Sequence, residues 1–181
     1  PLDYAQFPPV MVPAILAAED SRFVEHPGVD YLGLARAVSV LITTGKKGPG
    51  GSTITMQVAR NFFLSKKKTF TRKFNEILLS LKIEEELSKE QILSLYLNKI
   101  FLGLRSYGVA AAAQVYYGKE LAELSLPQFA MIAGLPKAPS AYNPVTNPQR
   151  ALLRRNYVLR RMRELDFIDA EQFKLATESP V

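Results

Sequence analysis

Apolar residues recur three and four positions apart along most of the chain, which is the spacing of one face of an α-helix. Alternating runs rich in β-branched residues, which would predict strands, are scarce. Pro13 suits the first turn of one helix, and Asp30 can cap a second helix that ends near Gly45. The pattern predicts a mainly α-helical protein.

Further helices are predicted by residues that suit helix starts. The glycine-rich segment 46–51 predicts a mobile turn, and Ser52 or Thr53 can then cap the next helix. A long amphipathic helix is predicted from five apolar residues that form one stripe: Phe70, Phe74, Ile77, Leu78 and Leu81. Later starts are predicted at four places: Ser88 with Gln91, Ser125 with Gln128, Asn147 before Pro148, and Asp169.

The composition narrows both the architecture and the chemistry. A chain of 181 residues that is 48% hydrophobic is expected to form one domain with a substantial core. Without cysteine, disulfides and thiolate metal sites are excluded, and the single histidine, His26, leaves no multi-histidine zinc site. His26 lies before Pro27-Gly28 and is expected to be structural. Carboxylates are therefore the leading catalytic candidates.

Basic charge is concentrated in one part of the chain. The net charge is +6, and residues 45–75 contain eight basic residues and no acidic one. This block predicts an anion site. Its segment 61–70 interleaves phenylalanines with three lysines, which suits an anionic membrane interface; core phenylalanines beside a solvated loop are the alternative. No apolar stretch approaches the roughly 20 residues that span a bilayer.

Two carboxylates follow the first predicted helix. Glu19 and Asp20 open the sequence EDSRFVEHPG at the end of an apolar run, where partial burial would suit a carboxylate to proton abstraction. The alternative is a capping or ion-paired role at a helix end, which the local sequence by itself favours.

Two further motifs lie in the basic block. GGSTITMQVARN surrounds a helix start with polar side chains, which predicts a phosphate or sugar site but not a P-loop, because no lysine follows Gly51. In TRKFNE, Arg72, Lys73 and Glu76 share the face opposite the apolar stripe. The alternative for these three is a solvated face with an ion pair worth about 0.3–0.5 kcal/mol.

Five motifs in this order resemble the glycosyltransferase family 51 domain of class A penicillin-binding proteins. They are EDSRFVEHPG, GGSTITMQVARN, RKFNE, KEQILSLYLNKIFLGLRSYGVAAAAQVYYGK and AGLPKAPSAYNP, and the resemblance runs from about Val12 to Met162. It implies a lysozyme-like, two-lobed helical domain over residues 1–181. It also implies a mobile, membrane-facing segment at about residues 45–75, with a membrane anchor and a transpeptidase domain outside this chain.

The resemblance also implies the reaction and its residues. A glycan on undecaprenyl diphosphate is the donor, lipid II is the acceptor, and inversion gives a β-1,4 bond. Glu19 is similar to the family's base, and Glu76 to its second essential carboxylate. The implied substrate-binding residues are Asp20, Ser52, Thr53, Gln57, Arg60, Asn61, Arg72 and Lys73. Tyr96, Asn98, Gly103 and Gly108 match a motif that shapes the fold.

The implied partners are the lipid-linked substrates, the outer face of the bacterial inner membrane and moenomycin-type inhibitors. A divalent cation such as Mg²⁺ could bridge the diphosphate with Asp20 and Glu76, since hard oxygen ligands suit it. Two other functions stay open: a lytic transglycosylase or muramidase, which shares the fold, and a basic module that binds nucleic acid or lipid. The second would use arginines of residues 150–163, which are more simply a solvated helix face.

Overall fold

The computed structural model describes residues 1–46, 51–64 and 70–181, with the backbone alone at Phe70. Over these ranges the chain forms helices and turns and contains no strand; Phe101 and Tyr107 form an isolated antiparallel bridge. The helices are α1 (Met11–Glu19), α2 (Tyr31–Thr44), α3 (Ile54–Phe63), α4 (Phe70–Glu86), α5 (Lys89–Lys99), α6 (Val109–Tyr117), α7 (Leu126–Ala133), α8 (Pro148–Glu164) and α9 (Ala170–Glu178). The prediction of a mainly helical protein is confirmed.

The helix boundaries follow the predicted capping residues. At the starts of α2, α3 and α9, a capping side chain accepts a hydrogen bond from the backbone N–H three residues later. The capping residues are Asp30, Thr53 and Asp169. Gly45 ends α2 in the left-handed conformation that glycine adopts without strain. The predicted glycine-rich turn at 47–50 and the lysines at 66–68 lie outside the described residues.

The chain divides into two compact units, as the two-lobed prediction requires. The first comprises Pro1–Ser21 and Leu93–Val181. In it α1 packs on α7 and α8, and α8 packs on α9. Its core includes Met11, Ile15 and Met131, all nearly inaccessible to solvent. Burial of side chains of this size stabilises a fold by roughly 1.5–3 kcal/mol each.

The second unit comprises Arg22–Ile92, and α3 packs on α4 within it. Every residue of α3 from Ile54 to Ala59 is buried. By contrast, α2 has no buried residue although most of its side chains are apolar. No helix among the described residues is long and apolar enough to cross a bilayer.

The orientation of α4 corrects the expectation from its apolar stripe. Phe74 and Leu78 of that stripe are exposed, whereas Glu76, Ser80 and Ile83 are buried. The buried face is thus the one predicted to be polar. The physical reason is that Glu76 meets cationic partners inside the unit, which offset the cost of burying its charge.

Candidate functional site

Glu76 is buried in the second unit between two cationic side chains. Its side chain has 0% exposure, and its Oε1 lies 3.7 Å from Arg60 Nη1 and 3.4 Å from Lys73 Nζ. Arg60 comes from α3 and Lys73 from α4, so the packing of these two helices assembles the cluster. The alternative of a solvated face is wrong for Glu76, because its side chain is fully buried. A buried carboxylate needs cationic partners such as these two.

The other oxygen of Glu76 is arranged differently. Glu76 Oε2 is buried and accepts no hydrogen bond from the residues that the structure describes. Leaving a buried polar atom without a hydrogen bond costs about 1–3 kcal/mol. A bound water or a ligand can supply the donor for this oxygen.

Ser52 joins this cluster from the residue before the cap of α3. Lys73 Nζ donates a hydrogen bond of 3.1 Å to Ser52 Oγ as well as one of 3.4 Å to Glu76 Oε1. Four predicted site residues therefore come together: Ser52, Arg60, Lys73 and Glu76. Lys73 and Arg60 remain partly exposed, so both can also meet an anion from solvent.

The remaining predicted residues of this unit differ in accessibility. Thr53 Oγ1 donates to Gly28 O at 2.6 Å and accepts from Met56 N, which favours a role in shaping the site rather than in binding substrate. Gln57 is buried, Asn61 is exposed and Arg72 is half-buried. Helix spacing placed only Arg72 and Lys73 beside Glu76, whereas the family resemblance assigned Arg60 to the same diphosphate. The structure adds the direct contact between Arg60 and Glu76.

The turn that follows Glu19 and Asp20 is fixed by contacts within the second unit. His26 is buried, and its Nδ1 accepts a hydrogen bond from Gly28 N. Lys89 Nζ donates to His26 O at 2.6 Å and lies 4.4 Å from the centre of the Phe23 ring. Gly28 has φ +107°, and a Cβ there would lie 2.8 Å from Ser80 O. Only glycine fits this approach to α4.

Glu19 ends α1 in the first unit, with its side chain 10% exposed. Glu19 Oε1 lies 3.6 Å from Nη2 of Arg154, a residue of α8. Asp20 follows as the C-cap residue and is also buried. The helix-end carboxylate is therefore ion-paired, as the local sequence favoured, but the sequence did not indicate that its partner is the buried Arg154.

The arginines of α8 correct a further expectation. Arg154 and Arg155 are buried, so the interpretation of residues 150–163 as a solvated basic face is wrong for these two. Both occupy the buried stripe that also contains Ala151, Val158 and Met162. In the sequence, Arg154 and Arg155 fall at positions of the helix that otherwise carry apolar residues. This pattern could have indicated that both side chains are buried.

The residues predicted to shape the fold have contacts that suit that role. Tyr96 is fully buried, and the Asn98 amide bonds to both the N–H and the carbonyl of Leu2. Gly103 and Gly108 have φ of +85° and +87°, and a Cβ at either would overlap a neighbouring residue. These positions thus require glycine.

A metal centre built from three or more acidic or histidine side chains is absent from residues 1–46, 51–64 and 70–181. Beside Glu76, Oε1 already faces Arg60 and Lys73, and these two positive charges oppose a further cation at that oxygen. What the arrangement suits is an anionic ligand with a hydrogen-bond donor for Glu76 Oε2.

Comparison with known proteins shows which family the chain belongs to. The profile of the transglycosylase family matches residues 1–163. The chain is 54% identical over its full length to penicillin-binding protein 1A of Pseudomonas aeruginosa and 58% identical over 166 residues to that of Neisseria cinerea. It spans about a fifth of the length of these relatives, 22% and 21%.

A solved structure gives the same answer for the fold. The crystal structure of penicillin-binding protein 1A from Haemophilus influenzae matches 100% of this chain and 17% of that one, with a TM-score of 0.58 and 32% identity. The predicted lysozyme-like helical fold and the resemblance to family 51 are thereby confirmed. The chain belongs to the transglycosylase family.

Proposed function

We propose that this chain polymerises lipid II into glycan strands and releases undecaprenyl diphosphate. The observation that carries the proposal is the buried Glu76 with Arg60 and Lys73 at its Oε1, in a chain of this family. A leaving diphosphate gains negative charge as its bond to the sugar breaks, and preorganised cations stabilise that charge.

Glu19 is the proposed base. It takes the proton from the 4-hydroxyl of the acceptor's N-acetylglucosamine while that oxygen attacks the anomeric carbon of the donor. The bond from this carbon to the diphosphate oxygen breaks, and its electron pair leaves with the diphosphate. Attack opposite the leaving group inverts the anomeric centre and gives the β-1,4 bond.

Arg60, Lys73 and Arg72 are proposed to stabilise the diphosphate of the donor. The guanidinium groups suit bidentate contacts, and the lysine acts as a point charge. Ser52, Gln57 and Asn61 are proposed to bind sugar or phosphate oxygens, with Asp20 beside the base.

A divalent cation held by Asp20 and Glu76 stays a prediction. A polymerisation assay with and without a chelator tests it.

We further propose that the chain works at the outer face of the bacterial inner membrane, where its lipid-linked substrates lie. Exposed apolar side chains of the second unit support a membrane-facing surface, defined here as Tyr31, Leu32, Val38, Leu41, Ile42, Phe63, Phe74 and Leu78. Such side chains partition into the interface of a bilayer, and the excess of basic residues in the sequence from 45 to 75 favours anionic lipid.

The test of the base is Glu19→Gln assayed for polymerisation of lipid II. The amide has nearly the same shape but cannot accept the proton, so we expect polymer to fall below detection while the circular dichroism spectrum is unchanged. Glu25→Gln is the matched control, because Glu25 is exposed and lies in the same motif. Polymerisation by the folded Glu19→Gln protein at the wild-type rate would reject Glu19 as the base.

The lytic alternative predicts a different product. A muramidase or lytic transglycosylase acts on a glycan without a diphosphate, so it gives Arg60 and Lys73 no anion to stabilise. Release of undecaprenyl diphosphate from lipid II distinguishes the two activities. The nucleic-acid alternative is disfavoured because Arg154 and Arg155, two members of its basic cluster, are buried.

A further inference from the structure

Arg154 is a buried cation whose guanidinium contacts several groups of the first unit. It is 8% exposed, and its Nε donates a hydrogen bond of 3.0 Å to Gly134 O. The guanidinium carbon lies 5.4 Å from the centre of the Tyr142 ring and 5.0 Å from that of Tyr157. Cation–π contacts at these distances stabilise a desolvated arginine.

The backbone at Gly134 leaves room for this side chain. A Cβ at position 134 would lie 2.8 Å from Arg154 Cγ and 3.5 Å from its Nε. Gly134 has φ −79°, which any residue adopts, so the close approach of Arg154 is what requires glycine here. The location of the guanidinium is therefore fixed by α7 and α8 rather than by solvent.

The fixed guanidinium directs Nη2 at Glu19. The distance of 3.6 Å from Nη2 to Glu19 Oε1 is that of an ion pair rather than of a short hydrogen bond. Removing an arginine from water is costly unless an anion lies nearby, and Glu19 is that anion. The same proximity favours the ionised carboxylate, which is the form that can accept a proton.

We propose that Arg154 is the positioning residue for Glu19: it holds the carboxylate ionised and in place as the base of the transfer reaction. The inference rests on the proposed function, since it presumes that Glu19 is the base. Arg154 acts through Glu19 and takes no proton itself.

The neighbouring Arg155 serves as an internal comparison. It is 1% exposed, and its guanidinium donates to the carbonyls of Pro180 and Thr177 and to Oδ1 of Asn156. These contacts attach the C-terminal segment to α8 and involve no carboxylate. Two adjacent buried arginines thus have different contacts, and Arg155→Met is the matched control for Arg154→Met.

The experiment is a titration of ¹³Cδ-labelled glutamate followed by NMR, with the Glu19 signal assigned by its loss in Glu19→Gln. In Arg154→Met we expect the midpoint of Glu19 to rise by about one pH unit, because the nearby cation is gone. The acidic limb of kcat/KM against pH should move the same way, with kcat reduced about tenfold and KM for lipid II changed little. Arg155→Met should lower the melting temperature and leave the titration unchanged.

The outcomes separate the two proposals. A Glu19 midpoint and acidic limb in Arg154→Met that match the wild type overturn the positioning role, whatever Glu19→Gln does. Activity retained in Glu19→Gln rejects the base, whereas the NMR midpoint still reports the contact. If Arg154→Met does not fold, Arg154→Lys replaces it. Lysine keeps the charge but loses the Nε bond, so kcat should fall, and a wild-type kcat in the folded variant overturns the inference.

Discussion

At the scale of single residues, burial distinguishes the ion pairs at the proposed site from those at the surface. Glu76 and Arg154 are both nearly inaccessible to solvent, and each faces an opposite charge inside its own unit. Exposed ion pairs such as Arg22 with Glu25 contribute at most about 1 kcal/mol. The two buried clusters therefore hold the charged groups that we propose to act on the substrate.

Lys73 provides the test of the Glu76 cluster. Lys73→Met removes one of the two cations at Glu76 Oε1, so we expect kcat/KM for the diphosphate-linked donor to fall about a hundredfold. Lys82→Met, which removes an exposed lysine from the same helix, is the control and should behave as wild type. If Lys73→Met leaves the kinetics of the donor unchanged, Lys73 does not contact the diphosphate and belongs only to a solvated helix face.

At the scale of helices, capping residues are local and were predictable, whereas the buried face of a helix was not. Asp30 and Asp169 were identified from their sequence neighbours, and Thr53 was one of two candidates with Ser52, because a cap and its target lie three residues apart. The buried face of α4 depends on Arg60 of α3, and no local pattern encodes that partner. For the same reason the pairing of Glu19 with Arg154 could not be read from the sequence.

The cap of α2 gives a prediction about pH. Burial would raise the pKa of Asp30, but the hydrogen bond from Gly33 N and the contact with Arg22 outweigh it and hold the pKa below its ordinary value. A lowered pKa means that the ionised form stabilises the fold at neutral pH, and that this contribution is lost as pH falls through the folded-state pKa.

Asp30→Asn tests this linkage. The amide can still cap α2 but cannot ionise, so we expect the variant to be less stable than wild type at pH 7. The difference should shrink as the pH falls below about 4, where the wild-type carboxylate takes up its proton. Urea unfolding of the variant and the wild type at pH 7 and at pH 3 measures this difference in stability. A difference that is the same at pH 7 and pH 3 would contradict the assignment.

At the scale of the whole molecule, the second unit leaves several large apolar side chains exposed to water. The helix α2 buries none of its residues, and Ile42 is 78% exposed. The family and the helical fold were predictable, because five ordered motifs and regular periodicity are distributed along the chain. The exposure of α2 could not be predicted, since an amphipathic pattern does not indicate which part of the protein, if any, packs against its apolar side.

Vesicle binding tests the membrane-facing surface. The double variant Leu41→Ser, Ile42→Ser should bind phosphatidylglycerol vesicles about tenfold more weakly, because two apolar side chains no longer enter the interface. Leu153→Ser is the control, since Leu153 is also exposed but lies on α8. Co-sedimentation measures the affinity, and equal binding by the double variant and the wild type would rule out this surface.

The pairing at Glu76 also determines which inhibitors would suit the cluster. Arg60 and Lys73 contribute two positive charges and Glu76 one negative, so these three groups together present a single positive charge. A monoanionic compound would match that charge without the desolvation cost of a diphosphate. If the compound also carried a hydroxyl directed at Glu76 Oε2, it would supply the hydrogen bond which that oxygen does not receive from the described residues.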